Sequence, residues 1–230
     1  MPGTAPLLIF DLDGTLIDSK LDLAHSVNAA RAYLGKGPIS HEAVYSYVGN
    51  GAPVLMRRAL GPEDSEEDVK RALDFFIRYY GQHCLDNTTL YPGVKDALDR
   101  LQNNGIALAV LTNKPVRISN HIVGGLGLSA HFFRVYGGNS FEQKKPHPIG
   151  IETLLTESGL PRDSAFMVGD SAVDVRTARN AGVRACGVSY GFQPEGFETD
   201  PPDLLIDSMG ELADRVLIDS RPLAVTRAVL

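Results

Sequence analysis

The feature that most constrains the fold is a short apolar run, Leu7–Phe10, that leads directly into Asp11-Leu12-Asp13-Gly14-Thr15. An apolar run that ends in a turn is typical of a strand buried on both faces, as in a parallel sheet. Asp11 and Asp13 then stand at the carboxyl end of this strand, where Gly14 permits a sharp turn. Ligands bind at this edge of open α/β sheets. The two carboxylates are therefore either part of a solvated turn or part of a site, and later segments decide between the two.

Strand and helix patterns alternate from Tyr91 onward and predict an α/β fold. Apolar runs predict further strands at 106–111, 132–136, 165–168, 183–188 and 203–206, with helical spacing between them. Repeated strand–helix units form a parallel sheet with helices on both faces and right-handed crossovers. A last helix is predicted at 210–218, and the tail from Asp219 carries no pattern that we could interpret.

The segment between the first strand and Tyr91 has a different character. Apolar spacing and capping residues from about Lys20 to Leu85 predict helices only. An all-helical segment of this length is too long for an ordinary loop. We therefore expect a small helical cap at 18–87, inserted into an α/β core made of residues 1–17 and 88–230.

Composition and charge restrict the class of protein. The formal net charge is −6 and no long basic run occurs, which argues against nucleic acid or an anionic membrane as the main partner. Cys84 and Cys186 are far apart, so we expect free thiols in a reducing compartment rather than a disulfide framework. Neither a signal sequence nor a membrane-spanning run is seen. The expectation is a soluble, cytoplasmic monomer or homodimer.

Polar residues follow four of the predicted strands. They are Asp11 and Asp13, Thr112 and Asn113, Lys145, and Asp170 with Asp174. In a parallel sheet all of these loops lie at one edge, where several carboxylates require a counter-charge. Hard oxygen ligands favour Mg²⁺, which also binds phosphate oxygens. A hydroxyl and backbone amides after a strand can hold phosphoryl oxygens, and a lysine can balance their charge.

These motifs, in this order, resemble the haloacid dehalogenase superfamily of phosphatases, and the helical insertion resembles its subfamily with a C1-type cap. The resemblance implies a Rossmann-like core and Mg²⁺-dependent chemistry through an aspartyl-phosphate. It implies that Asp11 is the nucleophile, that Asp13 is the general acid and base, that Thr112 binds the phosphoryl group and that Lys145 neutralises it. The implied metal ligands are Asp11, the main-chain carbonyl of Asp13, and Asp170, with Asp174 close behind.

The segments 48–54, 110–115 and 144–148 are further similar to the bacterial phosphoglycolate phosphatases, a branch of that superfamily. The resemblance implies a small substrate that carries a carboxylate as well as a phosphate. We expect the loop with Asn50 and Gly51 to close over the core and contact this substrate, together with Thr112 and Asn113. Arg57 and Arg58 are alternative cations for the carboxylate.

Other activities remain open from the sequence. The same core could hydrolyse sugar, amino-sugar or nucleotide phosphates or pyrophosphate, or could act as a sugar-phosphate mutase. A receiver domain that is phosphorylated on aspartate as a signal is an alternative of a different class. A receiver has no helical insertion of this length after its first strand, so an enzyme is favoured.

Several residues near these motifs have a structural interpretation. We expect Lys114 to be a solvated residue at a helix start, and Phe75, Phe76, Tyr79 and Tyr80 to pack inside the cap rather than contact substrate. Lys144 competes with Lys145 for the role of active-site lysine. The resemblance favours Lys145, because the family places this lysine directly before proline.

Overall fold

The computed structural model describes residues 6–219. The chain forms eight strands within these residues: Leu7–Phe10 (β1), Ile17–Asp18 (β2), Thr89–Leu90 (β3), Ala107–Leu111 (β4), Arg134–Tyr136 (β5), Ala165–Gly169 (β6), Arg184–Val188 (β7) and Leu204–Ile206 (β8). The outer ends of the predicted core segments, 1–5 and 220–230, and with them most of the tail after Asp219, lie outside the described residues.

Nine α-helices accompany these strands in the described part of the chain. They are Lys20–Tyr33 (α1), His41–Tyr47 (α2), Ala52–Leu60 (α3), Glu66–His83 (α4), Val94–Asn103 (α5), Val116–Gly125 (α6), Ile149–Ser158 (α7), Ala172–Ala181 (α8) and Met209–Asp219 (α9). None of the helices between residues 6 and 219 is long and apolar enough to cross a membrane.

The main sheet has six parallel strands in the order β5-β4-β1-β6-β7-β8. β1 lies between β4 and β6, with Phe10 opposite Val110 on one side and Val168 on the other. Every side chain of β1 is buried, because successive residues pack into hydrophobic clusters on opposite faces of the sheet. Phe10 contributes to one cluster and Ile9 to the other. The predicted α/β fold with a Rossmann-like parallel sheet is confirmed.

The four helices α1–α4 follow one another between β2 and β3 without an intervening strand. They pack together around buried apolar side chains such as Val27, Met56 and Phe76. β2 and β3 form an antiparallel pair at the point where the chain leaves the main sheet and returns to it. We refer to residues 20–83 as the helical insertion, and its status as a separate cap domain stays a prediction.

Candidate active site

The sheet order brings three of the predicted site loops side by side. Asp11, Thr112 and Asp170 directly follow β1, β4 and β6, which are neighbouring parallel strands. Gly14 has φ +77°, and a Cβ placed there would lie 2.1 Å from Oδ2 of Asp170. The loop after β1 therefore passes so close to the loop after β6 that it accepts only glycine at this position.

Lys145 is the lysine that reaches these carboxylates. Its Nζ lies 3.0 Å from Oδ2 of Asp11 and donates a hydrogen bond of 2.6 Å to Oδ1 of Asp174. Burial by itself lowers the pKa of Lys145, but the two carboxylates more than offset this effect and hold the pKa above its ordinary value. Lys144 points elsewhere and donates to the carbonyl of Asn50. The geometry therefore supports the choice of Lys145 over Lys144.

Three carboxylates form a buried acidic cluster. Carboxylate oxygens of Asp11, Asp170 and Asp174 lie within 4.8 Å of one another. Burial raises the pKa of Asp11 to about 6, an effect that Asp174 and Asp13 increase and Lys145 opposes. Burial and the charges of Asp174 and Asp11 hold the pKa of Asp170 well above its usual range. The cluster thus carries more negative charge than Lys145 balances, and its hard oxygen atoms fit a divalent cation such as Mg²⁺.

Asp174 has a second set of contacts that fixes its position. Its Oδ2 accepts hydrogen bonds from the backbone amide of Ser171, at 3.2 Å, and from the Ser171 hydroxyl, at 2.7 Å. These contacts form a capping box at the start of α8. One carboxylate therefore caps a helix with one oxygen and binds Lys145 with the other.

The side chain of Asp13 stands apart from the acidic cluster. Its Oδ1 accepts a hydrogen bond of 2.5 Å from the Ser19 hydroxyl and lies 2.7 Å from Nζ of Lys114. Lys114 also donates to the hydroxyl of Tyr80 in α4, at 2.5 Å. The expectation that Lys114 is solvated was wrong, since only 6% of the residue is exposed. Its aliphatic stem and charge are buried because Asp13 and Tyr80 supply partners for the ammonium group.

Thr112 and Asn113 border the same space. Thr112 is buried, and its Oγ1 accepts a hydrogen bond from the amide of Lys114. Asn113 donates through Nδ2 to the carbonyls of Gly49 and Lys145. Its buried Oδ1 has no donor within the described residues. Both residues line the same cavity as Asp11, and their roles toward a substrate stay predictions.

A small cavity of about 50 Å³ lies between the strand ends and the helical insertion. Gly51 lines it, whereas Asn50 does not and instead presents its carbonyl to Lys144. Phe76 and Tyr80 were expected to serve only the interior of the insertion, but both also line the cavity. They do so because α4 turns this edge of its buried face toward the sheet.

The two arginines considered for the substrate carboxylate do not line the cavity. Arg57 donates to the carbonyl of Asp64 and forms an ion pair with Glu66 at the start of α4. Arg58 is exposed. Neither arginine therefore faces the space beside Asp13.

Side chains of the core bind the backbone of the loop between α2 and α3, beside the cavity. Gln193 donates to the carbonyl of Val48 (2.9 Å), Asn113 to that of Gly49 (3.0 Å) and Lys144 to that of Asn50 (2.6 Å). We call these three hydrogen bonds the loop tethers. Sequence reasoning missed Gln193 and gave Lys144 no such role, since nothing in the local sequence indicates a bond to a distant carbonyl.

Comparisons with known proteins agree with this geometry. The sequence pattern of the family described as haloacid dehalogenase-like hydrolase matches residues 8–188. A phosphoglycolate phosphatase of Pseudomonas fluorescens is 42% identical over 219 residues, which is 92% of this chain and 80% of that protein. One of Vibrio parahaemolyticus is 37% identical over 93% of this chain and 97% of that protein.

A solved structure shows the same architecture. The crystal structure of a predicted phosphoglycolate phosphatase from Haemophilus somnus superposes with a TM-score of 0.86 at 34% identity, over 94% of this chain and 98% of that one. The chain belongs to the haloacid dehalogenase-like hydrolases, and it is a phosphatase of that family. The alternative of a signalling receiver is thereby set aside.

Proposed function

We propose that the chain is a Mg²⁺-dependent phosphomonoesterase whose substrate is 2-phosphoglycolate. The observation that carries the proposal is the convergence of Asp11, Asp13 and Lys145 at one edge of the sheet, beside a small, partly open cavity. A two-carbon leaving group suits this cavity better than a sugar or a nucleoside does. The names of the relatives at 42% and 37% identity support the same substrate.

In this proposal Asp11 is the nucleophile. Its carboxylate attacks phosphorus and forms an aspartyl-phosphate, while Lys145, 3.0 Å away, balances charge that builds up on the phosphoryl oxygens. The Thr112 hydroxyl and nearby backbone amides bind the phosphoryl group. Lys145 is held for this task by Asp174, which is itself fixed at the start of α8.

Asp13 handles the proton. Its Oδ1 is held by Ser19 and Lys114, and within the described residues Oδ2 has no hydrogen-bond donor. Oδ2 is therefore the oxygen that donates a proton to the leaving alcohol. The same oxygen then takes a proton from the water that attacks the aspartyl-phosphate.

The metal site of the proposal consists of Asp11, Asp170 and the main-chain carbonyl of Asp13, with Asp174 adjacent. Bound there, Mg²⁺ would offset the repulsion between the nucleophile and the phosphate dianion. Burial and the neighbouring carboxylates raise the pKa values of Asp11 and Asp170, and a bound cation would favour the ionised form of both.

We also propose a reducing, cytoplasmic location. Cys84 and Cys186 are buried free thiols on different elements, and neither forms a disulfide. A disulfide-free structure with buried thiols is typical of a reducing compartment. Detection of the protein mainly outside the cytoplasmic fraction of its source cells would contradict this part of the proposal.

The test is a panel of phosphate esters at matched concentrations, with Mg²⁺ or with a chelator. The panel contains 2-phosphoglycolate, p-nitrophenyl phosphate, a hexose phosphate, a nucleoside monophosphate and pyrophosphate. We expect kcat/KM to be highest for 2-phosphoglycolate and turnover to stop when Mg²⁺ is removed. A higher kcat/KM for the hexose phosphate or the nucleotide would overturn the substrate assignment, and undiminished turnover in chelator would overturn the metal.

A further inference from the structure

Lys114 is the one cationic side chain that lines the cavity in the described part of the chain. The acidic residues of the lining are Asp11, Asp13 and Asp170, and the remainder is mostly apolar. The Lys114 side chain is 4% exposed, and its Nζ lies 4.5 Å from the centroid of the Tyr80 ring. Burying a positive charge in an apolar wall costs free energy unless polar or negatively charged groups contact it.

The ammonium group has one donor more than its partners use. A lysine has three N–H groups, and the contacts of Nζ with Asp13 and Tyr80 account for two of them. The third can bind an acceptor that enters the cavity. Because Nζ is fixed by the other two contacts, this donor is positioned before any ligand arrives.

The position of Nζ relative to Asp13 defines what this donor meets. In the proposed mechanism Oδ2 of Asp13 contacts the leaving oxygen, while Nζ lies 2.7 Å from Oδ1 of the same carboxylate. A group two bonds from the leaving oxygen therefore comes within reach of Nζ. In 2-phosphoglycolate the carbon two bonds from the leaving oxygen is the carboxylate carbon.

The other cationic side chains considered near the site are bound to groups of the protein. Lys145 is bound between Asp11 and Asp174, and Lys144 is bound to the carbonyl of Asn50. Arg57 is bound to residues at the start of α4. Lys114 is thus the cation placed to select an anionic leaving group.

We propose that Lys114 is a specificity-determining residue that binds a carboxylate on the leaving group and so favours anionic over neutral phosphate esters. The inference rests on the proposed function, and in it Lys114 contacts the non-phosphoryl end of the substrate. Lys114 touches Asp13 as well, so its loss affects every substrate through Asp13. Its selective effect appears in the ratio between matched esters.

The experiment compares 2-phosphoglycolate with 2-hydroxyethyl phosphate, in which a neutral hydroxymethyl group replaces the carboxylate. We expect the wild type to prefer the anionic ester. In Lys114→Met the ratio of the two kcat/KM values should fall by about 30-fold, the change that loss of one hydrogen bond to a charged group produces. Lys114→Gln serves as a second, more polar variant. The matched control is Lys95→Met, at an exposed lysine paired with Asp99. The control should keep the wild-type ratio of the two kcat/KM values. Thermal unfolding of each variant shows that it is folded.

Two outcomes separate this inference from the proposed function. If 2-phosphoglycolate is the best substrate but both Lys114 variants lose activity equally on the two esters, Lys114 only positions Asp13 and the inference is overturned. If 2-phospholactate, which is anionic and one methyl larger, is hydrolysed far better than 2-phosphoglycolate and the ratio still falls in the variants, the substrate assignment fails and Lys114 keeps its role. Equal rates of the wild type on anionic and neutral esters overturn both.

Discussion

Asp11 and Asp13 are two residues apart, yet their surroundings differ. Asp11 lies in the acidic cluster beside Lys145, where burial raises its pKa to about 6. Asp13 faces Ser19 and Lys114 instead and contributes no carboxylate to the cluster. Residues two apart in a strand share a face, but Asp11 and Asp13 lie beyond the end of β1, in the turn that contains Gly14, and this turn lets their side chains diverge.

The variant Asp11→Asn tests whether Asp11 is the nucleophile. An amide cannot form the acyl-phosphate, so we expect kcat/KM to fall by at least about 10³-fold while the protein remains folded. Steady-state kinetics and thermal unfolding measure the two effects. Asp163→Asn, at an exposed position between α7 and β6, is the matched control and should keep full activity. If Asp11→Asn retained more than a few per cent of wild-type activity, another residue would be the nucleophile.

Among the elements, the helical insertion is joined to the core by hydrogen bonds that include the following two groups. The loop between α2 and α3 is held over the cavity by the loop tethers. Asp22 in α1 accepts hydrogen bonds from the backbone and side chains of Asn87 and Thr88, where the chain returns to the core. One junction borders the site, and the other fixes the start of α1.

Loss of two loop tethers should weaken substrate binding. In the double variant Gln193→Ala, Lys144→Met the loop after α2 keeps only the bond from Asn113. We expect kcat/KM for 2-phosphoglycolate to fall by roughly 30-fold, because two hydrogen bonds of about 1 kcal/mol each favour the closed loop. Gln102→Ala, which removes a comparable bond to the carbonyl of Ala130, is the control. An unchanged kcat/KM in the double variant would show that the tethers do not govern closure.

The hydrogen bonds of Asp22 predict how the free energy of unfolding changes in acid. Burial raises its pKa, but the hydrogen bonds from Asn87 and Thr88 more than offset burial and hold the pKa below its usual value. A lowered pKa in the folded state stabilises the protein above the unfolded value of about 3.9, and this contribution is lost as the pH falls further. Asp22→Asn should therefore lower the free energy of unfolding by about 1–3 kcal/mol at neutral pH.

The measurement is urea denaturation of the wild type and Asp22→Asn at a series of pH values. The difference between the two proteins should be constant from neutral pH down to about pH 5 and should shrink below about pH 4. A difference that grew in acid would mean that Asp22 is not stabilised as a carboxylate.

At the scale of the whole molecule, the parallel sheet places the acidic cluster where three strands end. Asp11 follows β1, whereas Asp170 and Asp174 lie just after β6 and in α8, more than 150 residues further along the chain. Folding therefore gathers like charges in a buried place, and this costs stability unless a cation binds. A cation bound at the proposed metal site would therefore stabilise the fold.

Mg²⁺ should therefore stabilise the folded protein in the absence of substrate. At about 100 times its dissociation constant, we expect Mg²⁺ to raise the Tm by roughly 5–10 °C. Asp170→Asn removes a proposed ligand and should abolish most of that rise. NaCl at matched ionic strength is the control for general screening. A rise of equal size in the variant or in NaCl would contradict a Mg²⁺ site in this cluster.

Much of the architecture follows from the sequence by itself. Apolar runs bounded by turns indicate buried strands, and capping residues indicate helix ends. Both signals can be found in the sequence because they depend on residues adjacent in the chain. The strand predicted at 165–168 differs from β6, Ala165–Gly169, by one residue. Parallel strands then place Asp11, Thr112 and Asp170 at one edge without further information. The two-residue strands β2 and β3 were not predicted, since so short a pair leaves no periodic pattern.

Only the tertiary structure decided which side chains meet inside the cavity. A lysine at a helix start is normally solvated, and Lys114 is buried only because Tyr80, from the insertion, and Asp13 converge on it. Gln193 reaches the carbonyl of Val48 from a loop 145 residues away in the sequence. Local patterns determine which backbone segments form and which faces are buried. The partners of a buried charge depend on how distant segments pack, because only that packing sets the distances on which hydrogen bonds and ion pairs depend.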